Sequence, residues 1–186
     1  MTPDGNRKPT LVVVAGRPGS GKTTLARSLA QTLSCPLVSR DEINEGVYQT
    51  FDHDPKLLTK QHAAEVAFSV FSDVIGLLVS HRVTLVVEAA FQHPRWHRVL
   101  EPLVPLADMR IVHCTVDPLL ARQRVVDRRS AQRNPRRTEQ EQTKDAHTPA
   151  PRAFEPLSLP VPSIHVSTAD GYEPGIDEIL AFLLHR

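Results

Sequence analysis

Leu11-Val12-Val13-Val14-Ala15-Gly16-Arg17-Pro18-Gly19-Ser20-Gly21-Lys22-Thr23-Thr24-Leu25 is the stretch that decides the fold. Its first five residues are apolar and largely β-branched, which suits a strand buried on both faces. Residues 16–23 then read G-x-x-x-x-G-K-T, a loop whose backbone N–H groups can turn inward around an anion. From Lys22 onward, Leu25, Ala26, Leu29, Ala30 and Leu33 recur at helical spacing, so a helix opens where the loop ends and points its positive dipole end into it. A strand, a phosphate loop and a helix in that order predict a site for ATP or another nucleoside triphosphate. Its cofactor-binding residues would be Gly16, Pro18, Gly19, Ser20, Gly21, Lys22, Thr23 and Thr24, with Lys22 serving the β- and γ-phosphates rather than the core and the Thr23 hydroxyl ligating Mg2+.

The alternation continues outward from this stretch. Residues 36–39, 83–87, 109–116 and 164–167 form short apolar runs that read as strands. A long helical pattern starts at Pro55 and carries Ala63, Ala67, Val70, Phe71, Val74, Ile75 and Leu78. Further helices are expected behind a His93 cap with Pro94 as first residue, over 118–129 with apolar Leu119, Leu120 and Val126, and over 175–184. Buried strands alternating with helices argue for an α/β fold with a mostly parallel sheet covered on both faces. Two segments stand apart. Residues 130–144 are polar and basic, and residues 147–162 are held extended by Pro149, Pro151, Pro156, Pro160 and Pro162. Residues 130–151 are therefore expected to form a lid over the site.

At 186 residues, 40% hydrophobic and 23% charged, the chain is the size of one globular domain. No apolar run approaches a bilayer span, and residues 1–10 lack the core of a secretion signal, so a cytoplasmic setting away from membranes is expected. Cys35 and Cys114 match no zinc spacing. Formal net charge is +1, but Arg122, Arg124, Arg128, Arg129, Arg133, Arg136 and Arg137 cluster against Asp127 alone. Such a block is either a local anion site or a solvated face. With 5% aromatics there is little for bases to stack on, which argues against a nucleic-acid partner.

Two carboxylates fall where the chemistry would need them. Asp41 follows the second strand, at the edge of the sheet where ligands bind, and could take the proton of an attacking hydroxyl. It also lies in the first turn of a helix that Ser39 and Glu42 could open as a capping box. Glu88 ends the third strand, where a charge needs a partner: Mg2+ or substrate on one reading, a lysine or arginine on the other. His93 and His97 could share a helix face, but no third ligand accompanies them, so with Phe91 and Trp96 they are read as lining for an acceptor pocket.

Residues 12–29, Asp41, Val86-Val87-Glu88-Ala89-Ala90-Phe91, and Val116-Asp117-Pro118 followed by Arg124 and Arg128 resemble the AAA_33-type P-loop kinases. That group holds chloramphenicol phosphotransferase-like and zeta-toxin-like enzymes, gluconate kinase and polynucleotide kinase. The resemblance implies a P-loop three-layer sandwich with five parallel strands in the order 2-3-1-4-5, an ATP site and an Arg-rich lid. It implies that Asp41, Lys22, Arg124 and Arg128 are catalytic, with Asp41 as base and Arg124 and Arg128 on phosphates or adenine. It also implies that Thr168 and its neighbours edge the adenine; the Mg2+ is expected at Thr23, from the loop motif, and at Glu88, from its place at the end of the third strand, where the family often has Asp. The acceptor would be a small-molecule hydroxyl on an antibiotic, sugar or nucleoside. A polynucleotide 5′-hydroxyl kinase and a nucleotide-dependent regulatory or toxin-like module are the alternatives.

Overall fold

The computed structural model describes residues 7–51, 54, 58–93, 95–131 and 154–185. Five strands, β1 (Thr10–Ala15), β2 (Leu37–Ser39), β3 (Leu85–Ala89), β4 (Asp108–Thr115) and β5 (Ser163–Ser167), form one sheet. Every neighbouring pair is parallel and the order is β2-β3-β1-β4-β5. The helices are α1 (Lys22–Thr32), α2 (Arg40–Thr50), α3 (Lys60–Ser80), α4 (His97–Leu100), α5 (Pro118–Ala131) and α6 (Ile176–Leu184), with a 3-10 turn at Glu101–Leu103.

The central strands are apolar on both faces because helices cover both. Val12, Val14, Val86, Val112, Cys114 and Val166 pack against Leu25, Leu29, Ile179 and Leu183 of α1 and α6. Leu11, Val13, Val87, Met109 and Ile111 pack on the other face against Phe71, Ile75 and Val79 of α3 and against Phe91, Trp96 and Leu100. Phe91 and Trp96, expected as pocket lining, are therefore core residues, with ring centroids 5.0 Å apart and Phe71 beside both.

Several boundaries differ from the sequence reading, each for a local reason. The third strand starts at Leu85 because the Val83 N–H is bonded to Leu78 O (2.9 Å), closing α3. In α3 the described helix begins at Lys60, where the Thr59 hydroxyl accepts from His62 N; Pro55 lies outside the described residues. The helix after β3 begins at His97, with Trp96 as its cap residue. His93 does not cap it: its backbone N–H donates to Glu155 O, beside a bridge between Gln92 and Pro156. Pro94 is outside the described residues. In α5, Leu119, Leu120 and Val126 are exposed, and it is Ala121 that is buried. By length and composition α3 could cross a membrane, contrary to the expectation that no run comes close. Here Ala63, Ala67, Phe71, Ile75 and Val79 of α3 form its buried face.

The expected lid, 130–151, falls almost wholly outside the described residues.

Candidate functional site

The phosphate loop is shaped by what surrounds it. Gly19 has φ +83, and a Cβ there would land on the Ala121 carbonyl of α5. A Cβ on Gly16 would strike the Ser20 hydroxyl and come within 2.7 Å of Cys114 O on β4. Glycine is needed at both positions because neighbouring backbone closes on the loop. From the end of β5, the Thr168 hydroxyl donates to Ser20 O (2.7 Å). Gly21 is the cap residue of α1 and offers no side chain to the helix's first N–H groups; the Thr24 N–H turns back to Gly21 O (3.1 Å), which leaves the donors before it to meet an anion. Pro18 and Thr24 are exposed on the loop and first turn, Thr23 is half-buried, and Ser20 and Lys22 are buried. The Ser20 hydroxyl has no partner among the described residues. Arg17 lies 5.8 Å from the centroid of the Phe154 ring.

Register brings the charged residues to this loop. Glu88 sits between Ser39 of β2 and Val14 of β1. It shares the α1 face with Val86, and there its Oε1 lies 3.4 Å from Lys22 Nζ, with side chains 8% and 0% exposed for Lys22 and Glu88. Oε2 accepts from the Ser39 hydroxyl (2.9 Å). The lysine-paired reading of Glu88 is thus the one the fold displays. The Ser39–Glu42 capping box does not form: Ser39 is the cap residue of α2 but its hydroxyl is spent on Glu88, and Glu42 pairs with Arg27 (2.6 Å). Strand order 2-3-1 makes β2 and β3 neighbours, and that order is the signal for a Ser39–Glu88 contact that the spacing within either strand lacks.

The other predicted residues spread over α2, α4, α5 and the end of β5. Asp41 occupies the first turn of α2 with its side chain 72% exposed, 3.9 Å from Arg40 Nη1. Thr168 is buried; besides Ser20 O, its hydroxyl reaches Thr115 O (3.3 Å). It locks the phosphate loop to the sheet and does not present its side chain at an open edge. The half-buried Arg124 donates from Nη2 to Thr168 O and Ala169 O, both 2.9 Å. It thereby joins α5 to the loop after β5. Arg128 is exposed one turn further along α5. The Asp117 carboxylate accepts from Leu119 N and Leu120 N and caps that helix. His93 and His97 stack edge-on at 5.2 Å, and His97 Nδ1 is 3.4 Å from Glu101.

Burial sets the titration of the neighbours. The Cys114 thiol is pushed up to about 12 by desolvation, with Lys22 pulling it down and Glu88 raising it, so it is inert beside the loop. Arg40 is lowered, above all by burial; the Asp41 carboxylate raises it and the charge of Arg95 lowers it further. Among the described residues no group of three or more His, Cys, Asp or Glu could cage a metal. One carboxylate and one hydroxyl beside a phosphate loop suit Mg2+, which takes most of its ligands from phosphate and water.

The Zeta toxin family matches residues 2–171. The chain belongs to the Zeta toxin family. Solved structures agree on the architecture this Zeta toxin-family chain displays. It is similar to a Chloroflexus aurantiacus J-10-fl protein provisionally assigned as a kinase (TM-score 0.72, 21% identity, 96% of this chain and 94% of that one). It is also similar to the Mycobacterium tuberculosis APS kinase solved with AMPPNP and APS (0.63, 14%, 95% and 98%). A Sinorhizobium meliloti gluconokinase is a third (0.54, 20%, 96% and 93%). At such identities the likeness is one of fold: a kinase-like P-loop sandwich. No curated protein matches the chain in sequence.

Proposed function

We propose that this chain is a single-domain, Mg2+-assisted phosphotransferase that passes the γ-phosphoryl group of ATP, or another nucleoside triphosphate, to the hydroxyl of a small molecule. The observation that carries the reading is one arrangement. A phosphate loop held by three elements has its lysine buried against Glu88, and an exposed carboxylate, Asp41, opens the helix two residues beyond the Ser39 that steadies Glu88.

In the proposed reaction the backbone of residues 16–23 and Lys22 hold the β- and γ-phosphates. Thr23 and Glu88 would hold Mg2+, which supplies charge neutralisation between those phosphates when bound. Asp41 accepts the acceptor's hydroxyl proton as the oxygen attacks the γ-phosphorus, and the bond to the bridging oxygen of the diphosphate breaks. Arg128 stands on α5 as a donor for the γ-phosphate oxygens. Arg124 reaches them only by exchanging the Thr168 and Ala169 carbonyls for phosphate.

The test is acceptor-dependent ADP release over a panel of sugars, nucleosides, antibiotics and oligonucleotides, with Asp41→Asn alongside. The expected result is release with a small alcohol and a fall of about 10²–10⁴ in turnover for Asp41→Asn at unchanged nucleotide affinity. Wild-type turnover in a mutant that merely melts earlier would reduce Asp41 to a first-turn charge on α2. Release with oligonucleotides alone would replace the acceptor class.

A further inference from the structure

Two guanidiniums that pack against α3, Arg40 and Arg95, have no part in this reaction. Arg40, the first residue of α2, has its side chain 24% exposed; its Nη2 donates to Ala64 O (3.3 Å) and its Nη1 lies 3.9 Å from Asp41 Oδ1. Arg95, in the loop between β3 and α4, places its guanidinium 3.7 Å from the centroid of the Phe68 ring. Ala64 and Phe68 are four residues apart in α3, so they lie one above the other on a single face, about 5–6 Å apart at Cβ. One wall of α3 therefore carries two cations on successive turns. Among the described residues the ion-pair partner of Arg40 is Asp41, mostly exposed, and Arg95 rests on an aromatic ring. The mutual cost is visible in Arg40, which burial and the charge of Arg95 both disfavour.

The location gives this excess charge a use. Arg40 directly follows Ser39, whose hydroxyl bonds Glu88, which pairs with Lys22. Arg95 leaves from the end of β3. Both follow the carboxyl ends of neighbouring parallel strands, β2 and β3, at the edge of the sheet that carries the phosphate loop. We infer that Arg40 and Arg95 form an anion seat for the acceptor, so that the substrate is an alcohol that also carries a carboxylate or a phosphate group. This rests on the phosphotransferase reading. The hydroxyl end would meet Asp41 while the oxyanion takes the planar fork of Arg95, which matches two oxygens at once, and the Nη1 edge of Arg40, whose Nη2 stays on Ala64 O. Phe68, itself 4.7 Å from Trp96, supports the Arg95 guanidinium from one side.

The experiment uses matched acceptors that differ in charge: gluconate against glucitol, and glycerol 3-phosphate against glycerol. ADP release is measured for the wild type, Arg40→Gln, Arg95→Gln and Arg95→Lys, each checked by melting. The expected result is a KM at least about tenfold lower for one anionic member than for its neutral partner. Each glutamine variant should raise that KM by about ten- to a hundredfold, the worth of a charge-assisted pair of hydrogen bonds, with the KM for ATP unchanged, and Arg95→Lys should recover part of it. Which pair responds separates carboxylate from phosphate. Equal use of neutral and anionic members, or glutamine variants that fold and keep the anionic KM, overturns the seat.

Where no member of either pair is turned over, the fluorescence of Trp96, the only tryptophan, decides. A saturable change with gluconate or glycerol 3-phosphate that is lost in Arg95→Gln upholds the seat, and no change overturns it. Failure of ATP to bind would sink the phosphotransferase reading while this titration still answers for the arginines.

Discussion

Lys22 illustrates how burial alters the meaning of a residue. Read from the motif alone, it serves phosphates, and its removal should leave the fold untouched. In the structure its ammonium stands 3.4 Å from a carboxylate that has no solvent exposure. Lys22→Ala should therefore cost stability as well as activity, about 3–5 kcal/mol for a stranded buried charge. Adding Glu88→Gln should restore much of that loss while leaving transfer dead. The carboxamide of that second substitution still offers the Ser39 hydroxyl an acceptor oxygen, so only the charge is removed. Thermal melts of the single and double variants beside the wild type check this; a Lys22→Ala protein as stable as the wild type would show that the pair contributes nothing to the fold.

At the scale of elements, the loop is held by parts remote from it in sequence. Gly19 meets α5 through the Ala121 carbonyl, so Gly19→Ala must push either the loop or the helix away. A side chain forced into φ +83 and onto a carbonyl stores about 1–3 kcal/mol of strain. The expected outcome is a loss of roughly five- to 150-fold in nucleotide affinity at that cost, measured by titration with a non-hydrolysable ATP analogue, with the sheet's far-UV signal retained. Unchanged affinity would mean that the contact is soft. The same region shows what is and is not legible in the chain alone. The strand–loop–helix and the buried strands are legible because local apolar spacing and glycine placement report on backbone geometry. The outward face of Leu119, Leu120 and Val126, the use of Thr168 as a tie to Ser20, and the diversion of Ser39 to Glu88 are not. Each depends on which element lies alongside, and periodicity along one segment carries no information about its neighbours.

Across the whole molecule, stability should depend on pH through the stacked pair on β4 and β5. His113 and His165 are register partners with ring centroids 4.8 Å apart. His113 is held below its ordinary value of 6.5, first by burial and then by the charge of His165. Below that ordinary value the unfolded chain takes up a proton that the folded one resists. The contribution of a neutral His113 is therefore complete above 6.5 and declines as pH falls toward the depressed folded value. On going from about pH 7.5 to about pH 5.5, a window that brackets the ordinary histidine value, the melting temperature should drop by more in the wild type than in His113→Phe. Equal drops would place the acid sensitivity elsewhere. The tie from Thr168 to Ser20 has a consequence in time as well as in space. It joins residues 148 apart, and contacts of such long range are the slowest to be made when a chain folds, because closure entropy must be met first. Local helices and the β1–loop–α1 unit can form early, but the cradle cannot take its final shape until β5 has docked. Competence to bind nucleotide should accordingly arrive as the last event of folding, which makes the ligand a reporter of completed chains rather than a template for nascent ones.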